Sequence, residues 1–197
     1  MIVGKQKTMK RIKVNSPEAI EITIKALLKG KIVIYPTDTI YGFGCDATNN
    51  KAIIRLNELK GRQSPMSVIA PNKNIAISWL NITSKEERLL LKNFNNGNTI
   101  IAPAQEGLVQ SKILGEKNTL GIRVPNYSFC KSLSNSFSKP ITTTSVNKTG
   151  FHPHANPDLI EKEFSNEVSV LVDDGILISP PSSILKLEMG KLVTIRK

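Results

Sequence analysis

Apolar positions along the chain alternate between two spacings, and these set out the expected elements before any chemistry is considered. Residues 31–35, KIVIY, are β-branched and aromatic and lie between Gly30 and Pro36, which predicts a core strand. Ahead of it, Ser16-Pro17-Glu18 has the residues of a helix start, and Ile20, Ile24, Leu27 and Leu28 recur at helical spacing up to Gly30. Beyond it, PTDTIYGFGCDA reads as a loop of small and polar residues whose glycines let a ligand approach the backbone. A helix is expected from Asn50, with Ile53, Leu56, Asn57 and Lys60 on or beside one face and Gly61 as its stop.

The same reading continues to the end of the chain. Residues 67–70 predict a short strand closed by Pro71, and 73–80 a weak helix. Ser84-Lys85-Glu86-Glu87 has the form of a capping box for a helix to about Phe94, and 98–102 is a strand ended by Pro103. A loop-like stretch, 104–117, leads into a strand at 119–124, after which Asn126 is expected to cap a helix towards Phe137. PITTTSVN begins as a strand and dissolves into a polar turn at 147–150. Asn156-Pro157-Asp158 opens a last helix to about Phe164, and a strand at 168–172 closes at Asp173-Asp174-Gly175. Residues 183–188 and 191–196 form a predicted hairpin around Met189-Gly190. Strands and helices mix without a strict βαβ rhythm, so the expectation is one α/β (or α+β) domain with a mixed sheet. The divisions expected are a basic N-terminal segment, 1–12, and a single domain, 13–197.

Composition narrows the classes. With 197 residues, 40% hydrophobic and 22% charged, the chain can build a substantial core. No apolar run approaches the roughly 20 residues needed to span a bilayer, and the basic start, MIVGKQKTMKRIKV, lacks the apolar centre of a signal peptide. Cys45 and Cys130 are far apart, which argues against a disulfide framework and fits a reducing cytoplasm. The net charge of +11 implies attraction to polyanions such as RNA, with Lys5, Lys7, Lys10, Arg11 and Lys13 clustered at the start. Six Phe, three Tyr and one Trp make no row of stacking aromatics, so charge alone leaves a nucleic-acid binder and a basic enzyme open.

Two stretches carry candidate chemistry. Lys60 and Arg62 project from a helix end beside a hydroxyl-rich loop, which suits a phosphate- or carboxylate-bearing small molecule. A K-G-R triplet alone would equally be a solvated helix end. PITTTSVN adds Thr142, Thr143, Thr144, Ser145 and Asn147. His152 and His154 are the only histidines and lie far from either cysteine, so no zinc site is expected. Cys45 lacks a base that would make it a nucleophile.

In order, P-T-D-T-x-Y-G, K-x-R, G-x-R-V-P and S-x-N resemble the YrdC-like family over residues 13–196. The resemblance implies an open, twisted mixed sheet flanked by helices, with a large basic concave cavity, in the single-domain form. It implies L-threonylcarbamoyladenylate synthesis from L-threonine, bicarbonate and ATP, with Mg²⁺ carried on the phosphates. The product would serve threonylcarbamoyladenosine formation in tRNA through a downstream transferase. By similarity Lys60, Arg62, Ser64, Thr119, Ser145, Asn147 and Arg196 belong to the ATP side. Thr39, Arg123, Thr143 and Ser182 belong to the threonine side, with Arg123 suited to the carboxylate. No catalytic group is separable from substrate binding. Ile69 stands where the family often has histidine, and Pro181-Ser182-Ser183 where it commonly has E-S-T. The rival reading is an RNA-binding or ribosome-maturation protein using the same basic cavity.

Overall fold

The β-branched run enters the core as expected: Val33–Tyr35 forms a strand whose three side chains are all buried. The computed structural model describes residues 9–94 and 97–197. Lys5 and Lys7 of the basic N-terminal segment lie outside the described residues.

Ten strands pair among the described residues. In chain order these are β1 (Lys10–Lys13), β2 (Val33–Tyr35), β3 (Gly42–Gly44), β4 (Ser67–Ile69) and β5 (Asn98–Pro103). They continue with β6 (Thr119–Arg123), β7 (Ile141–Ser145), β8 (Val170–Asp173), β9 (Ser183–Glu188) and β10 (Lys191–Arg196). They form one mixed sheet in the order β1-β8-β2-β3-β7-β4-β6-β5-β9-β10. The helices are α1 (Ala19–Leu28), α2 (Asn50–Lys60), α3 (Lys73–Ser78), α4 (Ser84–Asn93), α5 (Ser128–Phe137) and α6 (Pro157–Phe164).

Strand alternation divides the core between the two faces of the sheet. Ile34, Val68, Ile100, Ile122 and Leu171 join the larger cluster with residues of α2, α4 and α6. Their neighbours Val33, Tyr35, Ile69, Val170 and Val172 join a second cluster with Leu27 of α1 and Phe129, Leu133 and Phe137 of α5. That second face is covered only in part, and the remainder is where the candidate site lies.

Several local expectations shift. PTDTIYGFGCDA is not all loop, because Gly42–Gly44 is a strand between β2 and β7. A G-F-G triplet has no β propensity of its own, and its pairing comes from those two neighbours. Gly44 is required there because a Cβ would stand 2.5 Å from the Tyr35 ring. Helix α1 starts after Ser16, with Glu18 at its cap position and no side-chain cap bond. Its buried face is Ala19, Thr23, Ala26 and Leu27, whereas Leu28 is 63% exposed. The capping box belongs to Thr83 and Glu86, one residue earlier than expected. Asn126 does not cap α5: its N–H donates to Asp38 Oδ2 and its Oδ1 accepts from Lys131.

Other expectations hold. Helix α2 starts at Asn50, its buried residues include Ile53, Leu56, Asn57 and Lys60, and Gly61 ends it at a φ of 66°; its cap, Asn49, was not among the expected positions. Asn156 and Pro157 open α6. The β9–β10 hairpin turns at Met189 and Gly190, both at positive φ as a two-residue turn of this kind requires.

Candidate functional site

The pairing registers place one row of residues across four strands on the partly covered face. Arg123 of β6 lies opposite Thr99 of β5, Thr99 opposite Ile184 of β9, and Ile184 opposite Arg196 of β10. On the other side the row continues through Ile69 and Ile141, which lie in the cluster with α5. Side chains are therefore apolar where a helix covers the sheet and mostly polar where none does. The next row runs Thr143, Ser67, Gly121. Gly121 keeps that row low: a Cβ there would stand 2.5 Å from Ser67 Oγ.

Over these rows lies a cavity of about 510 Å³. Its wall includes Thr39, Arg62, Arg123, Thr143, Ser145, Ser182 and Arg196, seven of the positions expected from sequence. Thr37, Tyr41, Thr99, Thr144 and Pro153 also line it.

At one end Arg123, 5% exposed, donates from Nη1 to Thr39 Oγ1 at 2.9 Å and from Nη2 to Asp38 Oδ1 at 2.6 Å. Its Nε is buried with no hydrogen-bond partner among the described residues. The Thr37 hydroxyl accepts the Thr39 N–H at 3.1 Å and donates to Ile40 O at 2.8 Å, folding the PTDT loop around Arg123. Ser182 Oγ pairs with Thr99 Oγ1 at 2.9 Å, and Arg196 donates from Nη2 to Ser182 O at 2.6 Å.

At the other end the K-x-R and S-x-N residues separate into an outer and an inner pair. Arg62 and Ser145 face the cavity, with Arg62 Nη2 at 3.4 Å from Thr144 Oγ1. Burial lowers the Arg62 pKa. Lys60, only 2% exposed, lies beneath: its ammonium donates to Ser145 O at 2.6 Å and Asn147 O at 2.9 Å, with Asn147 Oδ1 at 3.4 Å. Its nitrogen also stands 5.5 Å above the centre of the Phe43 ring. Burial, with the charge of Arg62 adding to it, lowers the Lys60 pKa to about 8. Asn147 Oδ1 accepts the Ser145 hydroxyl at 2.5 Å, and its Nδ2 donates to Lys148 O and Phe151 O.

Two expected positions stand apart. The Thr119 hydroxyl donates to Glu116 O and is not in the cavity wall. Ser64 lies in a neighbouring hollow of about 520 Å³ that shares Arg62 and Pro65 with the main cavity. Ile69 is fully buried under α5, so the position where the family often has histidine is part of the core here. His154 pairs with Glu163 at 2.7 Å, and among the described residues no group of three or more His, Cys, Asp or Glu could hold a metal ion. The Cys45 thiol is pushed up to about 12, chiefly by burial.

Sequence reasoning missed Asp38 as the partner of Arg123, and Thr37 and Thr99 as wall residues. Asp38 and Thr37 sit inside the quoted PTDT motif, so their signal was present. Thr99 is recognisable only once β5 is paired with β6 and β9.

The profile of the Sua5/YciO/YrdC family, described as "telomere recombination", matches residues 25–197. A Methanocaldococcus jannaschii protein, provisionally named a threonylcarbamoyl-AMP synthase, is 32% identical over 98% of this chain and 93% of its own length. The threonylcarbamoyl-AMP synthase of Buchnera aphidicola is 29% identical over 86% of this chain and 92% of its own. P. abyssi Sua5, solved in complex with L-threonine, superposes with a TM-score of 0.83 at 24% identity. That match covers 95–96% of the fold here in the two Sua5 structures compared, but only 56% of the Sua5 chain. No helix among the described residues is long and apolar enough to cross a membrane. With a family profile matching most of its length and a relative of that identity along nearly all of it, this chain belongs to the Sua5/YciO/YrdC family.

Proposed function

We propose that this protein is an L-threonylcarbamoyladenylate synthase, making threonylcarbamoyl-AMP and diphosphate from L-threonine, bicarbonate and ATP. The observation that carries this reading is the single cavity whose two ends differ in chemistry. One end has Arg123 with Thr39, Thr143 and Ser182, and the other has Arg62 with Ser145, with Arg196 in the wall. The synthase names of the relatives, and the L-threonine bound to P. abyssi Sua5, support it further.

In this reading Arg123, which lines the cavity, meets the threonine carboxylate with its guanidinium. Thr143 and Ser182 supply hydroxyls to the amino acid. The threonine amine and bicarbonate give a carbamate with loss of water. A carbamate oxygen then bonds to the α-phosphorus of ATP as the bond to the β-phosphate oxygen breaks, releasing diphosphate. Such a transfer needs alignment and charge stabilisation rather than a covalent nucleophile. Arg62 and Arg196 supply positive charge within a cavity that holds both reactants, and Mg²⁺ arrives as part of the MgATP substrate. The cations and hydroxyls of the wall suit that substrate and make no carboxylate cage of their own. The net charge of +11 supports contact with tRNA near a downstream threonylcarbamoyl transferase.

The test is diphosphate release by the pure protein given ATP, Mg²⁺ and bicarbonate, with and without threonine. Threonine-dependent release, with threonylcarbamoyl-AMP seen by mass spectrometry, is expected. A folded protein that binds RNA but releases no diphosphate would favour the RNA-binding reading instead.

A further inference from the structure

The resemblance puts all four residues of K-x-R and S-x-N on the nucleotide, but the hydrogen bonding divides them. A lysine ammonium has three N–H groups. Those of Lys60 are matched by three oxygens of the protein itself: Ser145 O, Asn147 O and Asn147 Oδ1. Asn147 is equally committed, with its amide oxygen taking Ser145 Oγ and both amide hydrogens going to Lys148 O and Phe151 O. Neither residue is part of the cavity wall, whereas Arg62 and Ser145 both are.

The geometry around the inner pair is a locked turn. Asn147 N–H donates to Ser145 O at 3.1 Å, closing a three-residue turn directly above the ammonium. Thr149 N–H donates to Lys60 O at 3.0 Å, and His154 N–H to Val146 O at 2.9 Å, so the segment after the turn is tied to the same place. Pro153 at its end enters the cavity wall. Reaching a phosphate would require Lys60 to give up its bonds to the carbonyls of both Ser145 and Asn147, which leaves the Asn147 carbonyl without its ammonium partner.

We infer that Lys60 and Asn147 are positioning residues: from beneath the sheet they fix the turn that presents Ser145 and Pro153 to the cavity, leaving Arg62 as the cation that meets phosphate. This rests on the ATP reading above for the identity of the ligand, but the positioning itself does not.

Amide hydrogen exchange on the full chain, without ligand, tests the positioning independently of activity. In Lys60→Met, amides 147, 149–152 and 154 exchange at least tenfold faster than in the wild type, while those of β5 and β6 are unchanged. Lys60→Gln, which keeps an uncharged N–H donor group, lies between the two and carries the test if the Met variant does not fold. Unchanged exchange at 147–154 in a folded variant overturns the inference.

Nucleotide binding supplies the second arm. Lys60→Met weakens ATP and AMP by the same factor, about tenfold, and Lys60→Met combined with Asn147→Ala is no weaker than the worse single variant. A loss confined to ATP, with AMP unaffected, or additive losses in the double variant, would make Lys60 a direct phosphate ligand and overturn the inference. Failure of the wild type to bind nucleotide would remove the ATP reading and leave the exchange result to decide the positioning.

Discussion

Arg123 and Asp38 meet at 2.6 Å although they lie 85 positions apart in the chain, with 6% and 13% of their side chains exposed. Asp38 also accepts the Asn126 N–H, so one carboxylate joins the PTDT loop to the entry of α5 and orients the Arg123 guanidinium. Asp38→Ala is expected to raise the threonine KM at least tenfold, since hydrogen bonds to charged groups are worth about 1.5–3 kcal/mol. It should also lower stability by about 3 kcal/mol in urea unfolding, because it strips a partner from a buried charge. A variant with unchanged threonine KM would show that Asp38 does not hold Arg123 in its working orientation.

Replacing Arg62 by Ala should lower kcat/KM for ATP by roughly 10- to 150-fold, the range for losing hydrogen bonds to a charged ligand. Stability should change little, because Arg62 Nη2 has only the long contact to Thr144 and the guanidinium already sits in an unfavourable, partly buried place. Arg62→Lys keeps the charge but loses the planar fork, and is expected to recover only part of the activity. Steady-state kinetics with varied ATP and saturating threonine decide this.

Gly121→Ala places a methyl carbon 2.5 Å from Ser67 Oγ and 3.2 Å from Ser67 Cβ. The expected result is a loss of about 1–3 kcal/mol from overpacking, together with weaker threonine binding as the floor of the cavity rises. Gly44→Ala meets the fully buried Tyr35 ring at the same distance and should cost stability more than binding. Thermal melts and threonine titrations of the two variants separate these effects.

Lys60 also gives a pH dependence with a definite sign. Its folded pKa, about 8, is below the ordinary 10.5, so between those values the unfolded chain holds more protons. Stability from this group therefore rises with pH across that window, where the cost of burying the charge is relieved. Bound phosphates act oppositely: their negative charge favours the ammonium, so ATP binding near pH 8.5 should take up protons, and at pH 6.5 it should not. Calorimetry in buffers of different ionisation enthalpy measures the uptake, and its persistence in Lys60→Met would assign it to another group.

Much of the architecture could be read from local signals because those signals are local physics. Asn49 and Gly61 bracket α2 through a cap bond and a left-handed residue, and Met189-Gly190 turns the last hairpin by the same means. What could not be read depends on partners distant in the chain. Gly42–Gly44 is a strand because β2 and β7 flank it, and α1 turns Leu28 outward because Ala19, Thr23 and Ala26 form its buried face. The site followed the same division. The motifs located Thr39, Arg62, Arg123 and Ser145, but the register was needed to add Thr99. Side-chain geometry was needed to separate Lys60 from Arg62.

Strand β7 lies between the four strands β1, β8, β2 and β3 and the five strands β4, β6, β5, β9 and β10. Its first three residues pair with β4, and its last two with β3. The PTDT loop belongs to the first group, Arg123 and Arg196 to the second, and Thr143 to Ser145 to the seam itself. The seam is thus the gauge of the cavity: the spacing between the PTDT loop on one strand group and Arg123 and Arg196 on the other depends on how β7 is shared. A bound substrate pair spanning the cavity would clamp both groups at once, and the amides of 141–145 are where that clamping would register as slowed exchange.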